Sequence, residues 1–468
     1  MDVTPDRCGA VSSAVADSTK LRGMHVWFGA EQPQTPLLGE AGHGAAAREV
    51  TMGPPPSAPD ADVVEAPYSL FQLPRLRPPG TRVLPNWSEV ALDLIFVGIA
   101  GLTDQFLRNQ LHDRYAEWLV FIFVMFLYWA WSDCTFWFTS RFERGHDCYT
   151  SLALFVYLFG CVGMGMFTRL GWDGRRQFSM AVTVTRIGLL LLYLPVALFG
   201  KRLPDVGKME GSPQALALLW SIVAIVEACA WGIVAWGPVP DYAILGFWMA
   251  QVPLIFFRAN LPSLFRATHL RLDDSHVAER HNRFVLIFVG QAVLSLLSVD
   301  PPDTMTLSYV VTMIAGFLLV MSLVVMFLTG QRGHAHPMHA LRRNWFTRKM
   351  FVCQVPILGA AVLGVSAPLR IQIASASSGA PSSFRSVVLM SLSTGVFILL
   401  DSIGRALHRF RPSSTNICAR LFALDIIASL IGTLRFFPKY ASPTLAVASL
   451  AFAGSVIAIA DAFRPYTP

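Results

Sequence analysis

Glu89, Asp93 and Asp104 are three carboxylates set into a stretch that is otherwise largely apolar. At about 100° per residue, a helix brings them, together with Ala100, within roughly 60° of one face. A charge at the bilayer centre costs about 2.5–3.5 kcal/mol on insertion scales. Such a stripe must therefore face protein or water, where its acids exchange protons or pair with basic groups, Asp93 being the best placed to titrate. A second charged segment runs Ser275-His276-Val277-Ala278-Glu279-Arg280-His281-Asn282-Arg283. On a helix, His276, Glu279, Arg280 and Arg283 share one face, and Gln291 continues it. The spacing is not H-E-x-x-H, which excludes the zinc-protease reading. It suits general acid–base chemistry or, alternatively, a solvated helix end with local ion pairs. Deeper in apolar runs lie Arg186, Glu227 and Asp425. Arg186 and Glu227 have opposite signs on consecutive runs and are expected to pair, as a structural bridge or as part of a path for solute. Asp401 lies nearer the end of its run, where it reads as solvated.

The elements that hold these residues follow from composition. Of 468 residues, 54% are hydrophobic and 14% charged, about half the charge of a soluble chain at roughly 25%. Mean hydropathy is +0.50. These values exclude a disordered chain, a coiled coil and an ordinary cytosolic enzyme. They predict an all-α, polytopic transmembrane helical bundle. Apolar runs of about 18–23 residues, the length that spans hydrocarbon, recur at 88–107, 117–139, 149–167, 178–199, 214–236, 239–257, 284–299, 305–328, 349–367, 385–404, 417–437 and 443–462. The seventh is short unless it extends back before Phe284. The fifth and sixth, joined by Gly237 and Pro238, should be close antiparallel neighbours. Residues 1–86, rich in Ala, Pro and Gly, lack a secretory apolar core and read as a disordered cytosolic tail. The helical domain is 87–462, and 463–468 form a short C-terminal tail.

The net charge of +7 points to membrane orientation and not to nucleic acid, for which no motif is present. Lys and Arg concentrate on alternate connections: 258–283 and 329–348 are the most basic, while 237–238 and 300–304 have none. That alternation predicts about twelve spans with both termini cytosolic. Leu94-Ile95-Phe96-Val97-Gly98 in the first run recurs as Leu286-Ile287-Phe288-Val289-Gly290 in the seventh. A duplication of six spans would make a parallel repeat, as in some transporters.

An acid, three apolar residues and then Asp93-Leu94-Ile95-Phe96-Val97 resembles the N-terminal signature of the bacterial low-temperature-requirement protein A (LtrA) family. Tyr128-Trp129-Ala130-Trp131-Ser132-Asp133-Cys134-Thr135, followed by Arg141-Phe142-Glu143, resembles that family's Trp-rich second helix and Arg-Phe exit. His276-Val277-Ala278-Glu279-Arg280 and the run Phe284 to Gln291 resemble its His-x-x-Glu-Arg motif and the helix that follows. Arg186 fits the same pattern. The resemblance covers 87–330 and implies a multi-pass membrane protein; it nominates Glu89, Asp93, Asp133, Arg141, Arg186, His276, Glu279 and Arg280, but supplies no reaction. The family usually has Glu where this chain has Gln291, and an amide does not titrate. From the topology, the cytosolic ends of the first, second and seventh runs should gather the cluster, with Arg280 or Arg141 neutralising Asp93.

The seven cysteines read as small buried hydrophobes, with no disulfide framework. His334, His336 and His339 lie in a basic loop that reads as solvated, so no metal and no cofactor is predicted. Gly160, Gly163 and Gly165 suit close helix packing. Three functions remain open: a transporter or permease of an unknown small solute or ion, an integral membrane enzyme acting on a lipid-type substrate, and a non-catalytic sensor or scaffold. The bilayer is the expected partner in each.

Overall fold

The computed structural model describes residues 71, 73–76, 87–111, 113, 115–139, 141–143, 147–202, 212–258, 274–299, 305–330, 340–408, 414–436 and 442–462. Among them are twelve long helices: α1 (Trp87–Asn109), α2 (Ala116–Ser132), α3 (Cys148–Thr168), α4 (Arg175–Phe199), α5 (Pro213–Trp236), α6 (Asp241–Arg258), α7 (Asp274–Leu297), α8 (Leu307–Gly330), α9 (Trp345–Ser378), α10 (Phe384–Leu407), α11 (Ser414–Phe436) and α12 (Pro443–Ala462). Each apolar run of the sequence is a helix. Nine are long and apolar enough to cross a membrane; Ala116–Ser132 and Asp241–Phe256 are apolar but shorter.

Local chemistry sets the boundaries. Asp147 caps α3, its carboxylate accepting from the Thr150 amide at 2.7 Å and hydroxyl at 2.8 Å. Ser212 caps α5 and is followed by Pro213, which needs no amide partner there. Asn344 and Thr347 form a capping box on α9, which ends at Gly379 with φ 67°. α9 is longer than its apolar run because the helical pattern continues through Pro368 to Ser378. α7 likewise starts at Asp274, so the charged segment and the seventh run are one helix.

The N-terminal tail departs from its expectation at one place. Phe71 stacks edge-on against Tyr149 and Phe199, with centroids 5.8 and 6.2 Å apart. Arg75 and Leu76 pair antiparallel with Glu143 and Phe142. Edge-on aromatic contacts and two paired strand residues hold this stretch; the rest of 1–86, and 463–468, lie outside the described residues.

Six helix contacts of the first half recur in the second, which adds α12 on α9 and α11. In the first half, α3 lies on α4, α4 on α5, α1 on α3, α1 on α2, α2 on α6 and α2 on α3. Adding six to each number gives α9 on α10, α10 on α11, α7 on α9, α7 on α8, α8 on α12 and α8 on α9, and all six contacts are present. α3 and α4 approach to backbone contact: a Cβ on Gly160 would lie 2.5 Å from the Thr185 amide nitrogen, and one on Gly188 would lie 2.5 Å from Tyr157 backbone. α5 and α6 meet through Trp231, 4.8 Å from Phe247 and 6.4 Å from Trp248. The halves join where α1 packs on α7 and α9, and where α2 packs on α9.

Candidate functional site

α1 and α7 run side by side in the same direction, and their polar side chains meet in register. His276 Nε2 is 3.6 Å from Glu89 Oε1, an ion pair whenever the imidazole is protonated. One turn on, Arg280 grips Asp93 with two nitrogens, Nη1 to Oδ2 at 2.9 Å and Nη2 to Oδ1 at 2.7 Å. This fork geometry fixes orientation as well as charge. Trp131 of α2 donates its indole N–H to Asp93 at 3.3 Å and lies under the Arg280 guanidinium, 5.3 Å from its centroid. Arg283 stands 3.9 Å from Asp93 and also pairs with Glu279, which is exposed. A Cβ on Gly101 would sit 3.1 Å from Gln291 Oε1, so the missing side chain makes room for that amide. Gln291 donates to Ser295 at 3.3 Å, and Ser295 donates to Asp104 at 2.9 Å. Ser366 of α9 donates to the other Asp104 oxygen at 2.5 Å.

Glu89, Asp93 and Asp104 thus share the inward face that their spacing implied. Asp104 lies eleven residues beyond Asp93, about 16 Å along the helix, in a setting of its own. Of the two bases expected to neutralise Asp93, Arg280 does so. Arg141 is buried near Tyr193, and burial lowers its guanidinium to about 10, so it stays charged at neutral pH. Asp93 is thus held on both oxygens by Arg280 and on one also by Trp131.

Asp133 does not join the seam. It pairs with Arg186 and lies 3.2 Å from Arg258. Glu227 is 3.6 Å from Arg186 and 3.0 Å from Arg258. Trp129 lies against both guanidinia, 3.8 Å from Arg186 and 5.2 Å from Arg258. The reason is angular: Trp131 and Asp133 are two residues apart, about 200° around a helix, whereas Trp129 and Asp133 share a face. The expected Arg186–Glu227 pair is thus one edge of a four-charge cluster. Its fourth member, Arg258, was hidden in sequence as the first base of a basic connection.

A matching cluster closes the second half. Asp401 takes Arg405 at 2.9 Å and Arg420 at 2.8 Å; Asp461 takes the same two bases at 2.8 and 2.9 Å. Arg405 also donates to the Met326 carbonyl and the Thr329 hydroxyl at the end of α8. Asp401 is buried, which corrects its reading as solvated. The first cluster draws on α2 or its continuation, α4, α5 and α6; the second on α8, α10, α11 and α12. Each holds two acids and two arginines, so each is neutral when ionised. Asp425 differs from both: midway along α11, it faces outward and exposed.

Two features missed in sequence complete the picture. His281 is buried, with Nδ1 2.7 Å from the Val277 carbonyl and Nε2 3.1 Å from the Tyr128 hydroxyl. A carbonyl only accepts, so Nδ1 carries the hydrogen; the Tyr128 hydroxyl lies between His281 Nε2 and the Val352 carbonyl, the latter at 3.3 Å. A half-open cavity of about 360 Å³ opens beside α1 and α3, with Gln105, Asn109 and Arg169 among Phe106, Phe167 and Leu170. The described residues hold no group of three or more His, Cys, Asp and Glu placed to bind a metal; His334, His336 and His339 lie outside them.

Long apolar helices with inward-facing charge define a multi-pass integral membrane protein. The family model for bacterial low temperature requirement A protein (LtrA) matches residues 86–459, and the chain belongs to that family. The match runs well past residue 330, where the recognisable motifs end. No curated protein and no solved structure matches the chain.

Proposed function

We propose that this protein is a transporter or permease of a small solute or ion, built of twelve membrane crossings with both termini cytosolic, and that the α1–α7 seam lines its path. The observation that carries the reading is the shared packing scheme of the two halves, with the polar seam where they join. Parallel six-helix repeats that hold a polar site at their interface are a recurring transporter architecture.

Contacts between connections support the crossing pattern. If the tail is cytosolic, the α3–α4 and α5–α6 connections share the far side, and Arg176 donates to the Gly237 and Val239 carbonyls. Arg385 at the start of α10 holds Glu117 and the Asp113 carbonyl, again on the far side. On the cytosolic side, the Ala340 amide donates to His408. Each such contact joins segments that alternating crossings would put together. The seven-residue π-helical segment Asp133–Thr139 that continues α2 adds the length that helix lacks.

The test is reconstitution of the full chain into liposomes with a lumenal pH dye, challenged with pools of amino acids, organic acids, amines, sugars and inorganic ions. Flux above protein-free vesicles from at least one pool is expected. Correctly oriented, folded protein that moves none of them, with or without a pH or Na⁺ gradient, would contradict the reading.

A further inference from the structure

Each acid of the seam and of the two clusters has a basic side chain within ion-pair distance except one. Asp104 is 2% exposed, and among the described residues no Lys, Arg or His comes within ion-pair distance of it. Charged groups act on it only from further off: Arg108 on its own helix and Arg370 on α9. Arg370 is itself committed to Ser298, donating to its hydroxyl at 2.7 Å and its carbonyl at 2.6 Å. α7 offers only the neutral Ser295 and Gln291. Asp104 is thus an acid deep in the molecule whose charge is met by hydroxyls alone.

The hydroxyls have a second arrangement already in place. With Asp104 ionised, Ser366 and Ser295 each donate to one carboxylate oxygen, at 2.5 and 2.9 Å. Ser366 Oγ also lies 3.2 Å from the Leu363 carbonyl. If Asp104 takes a proton, its new O–H donates to Ser366 Oγ, and the Ser366 hydroxyl turns to Leu363. Ser295 continues to donate to the other oxygen and to accept from Gln291 at 3.3 Å. One proton enters from water, no heavy-atom bond changes, and every polar group keeps a partner. Buried networks that are fully satisfied in both protonation states avoid the cost of an orphaned group in either.

From this juxtaposition of an uncompensated carboxylate with a hydroxyl that has two acceptors, we propose that Asp104 is a reversible proton-binding site. On the transport reading, on which this part rests, it is the coupling site: its proton removes a buried charge that no base pairs, and with it the penalty for moving α1 against α7 and α9. A proton that binds one arrangement of the helices better than the other shifts their populations by that difference.

The test uses purified full-length protein in lipid nanodiscs without solute, titrated with H⁺ while infrared spectra record the carboxylic-acid C=O stretch. One such band should rise as pH falls and be missing in Asp104→Asn. Ser366→Ala should shift that band's frequency, because the protonated acid donates to that hydroxyl; Ser366→Thr should leave it in place. If Asp104→Asn does not fold, the Ser366 pair of variants decides the assignment. The midpoint should be the same in NaCl and choline chloride. A titrating band that survives Asp104→Asn unchanged, or no band sensitive to Ser366, would overturn the site, as would a midpoint displaced by Na⁺, which would mean a metal cation competes there. The spectra need no substrate, so failure of the flux assay leaves this result standing, and flux without the band would remove Asp104 while keeping transport.

Discussion

Arg280 and Asp93 show what a single side chain does at the seam. Arg280 is fully buried, while Asp93 keeps 18% of its side chain exposed. Removing one partner strands the other's charge, which in buried pairs costs about 3–5 kcal/mol; the partial exposure of Asp93 puts Arg280→Gln near the lower end. Thermal unfolding in nanodiscs should show that loss, and Asp93→Asn combined with Arg280→Gln should recover most of it. A double variant no more stable than Arg280→Gln alone would mean that the two groups do not hold one another. This pair was legible in sequence because both residues repeat on helical faces whose ends lie on the same side. The partners of Asp133 were not, since Arg186, Glu227 and Arg258 come from three other helices and no spacing in one segment encodes them. Asp104 could be seen to face inward, but its isolation from any base depends on Ser295 and Ser366, whose small hydroxyls carry no signal in a membrane helix.

At the scale of elements, α3 and α4 are held by exchanged glycines. Gly160 faces the Thr185 backbone and Gly188 faces the Tyr157 backbone, so a side chain at either place must push the helices apart. Such close approach is how membrane helices gain packing without a hydrophobic drive. Gly188→Leu should lower stability by more than the 1–3 kcal/mol or so typical of overpacking, because the neighbour is backbone and cannot move aside. Gly98→Leu should be tolerated, since a Cβ there meets nothing within 4 Å. Comparable yield and melting temperature for the two variants would contradict the packing described. All twelve helices were readable from apolar runs because each run is long and bounded by polar connections. Their ends were less so: the start of α7 is charged, and apolarity stops before the end of α9 while the helix continues.

Across the helical domain, six helix contacts of the first half recur in the second, and each half holds one neutral cluster of two acids and two arginines. The five-residue echo between α1 and α7 hinted at this, but the clusters are built differently: each charge of the first comes from a different element, whereas Asp401 and Arg405 of the second share α10. An arrangement built from unlike residues leaves little trace in sequence. The proposed crossing pattern predicts that single cysteines at Gly237 and Gly379 react with an impermeant thiol reagent added from outside the cytosol, and that those at Gly200 and His408 do not. Equal labelling of Gly237 and Gly200 would break it. If solute passes where the halves meet, flux must stop when the seam is locked. In proteoliposomes, cysteines at Gly101 and Gln291, in a background lacking other cysteines, would be joined by a short reducible cross-linker. Flux should stop on cross-linking and return on reduction; undiminished flux through fully cross-linked protein would contradict a path along the seam.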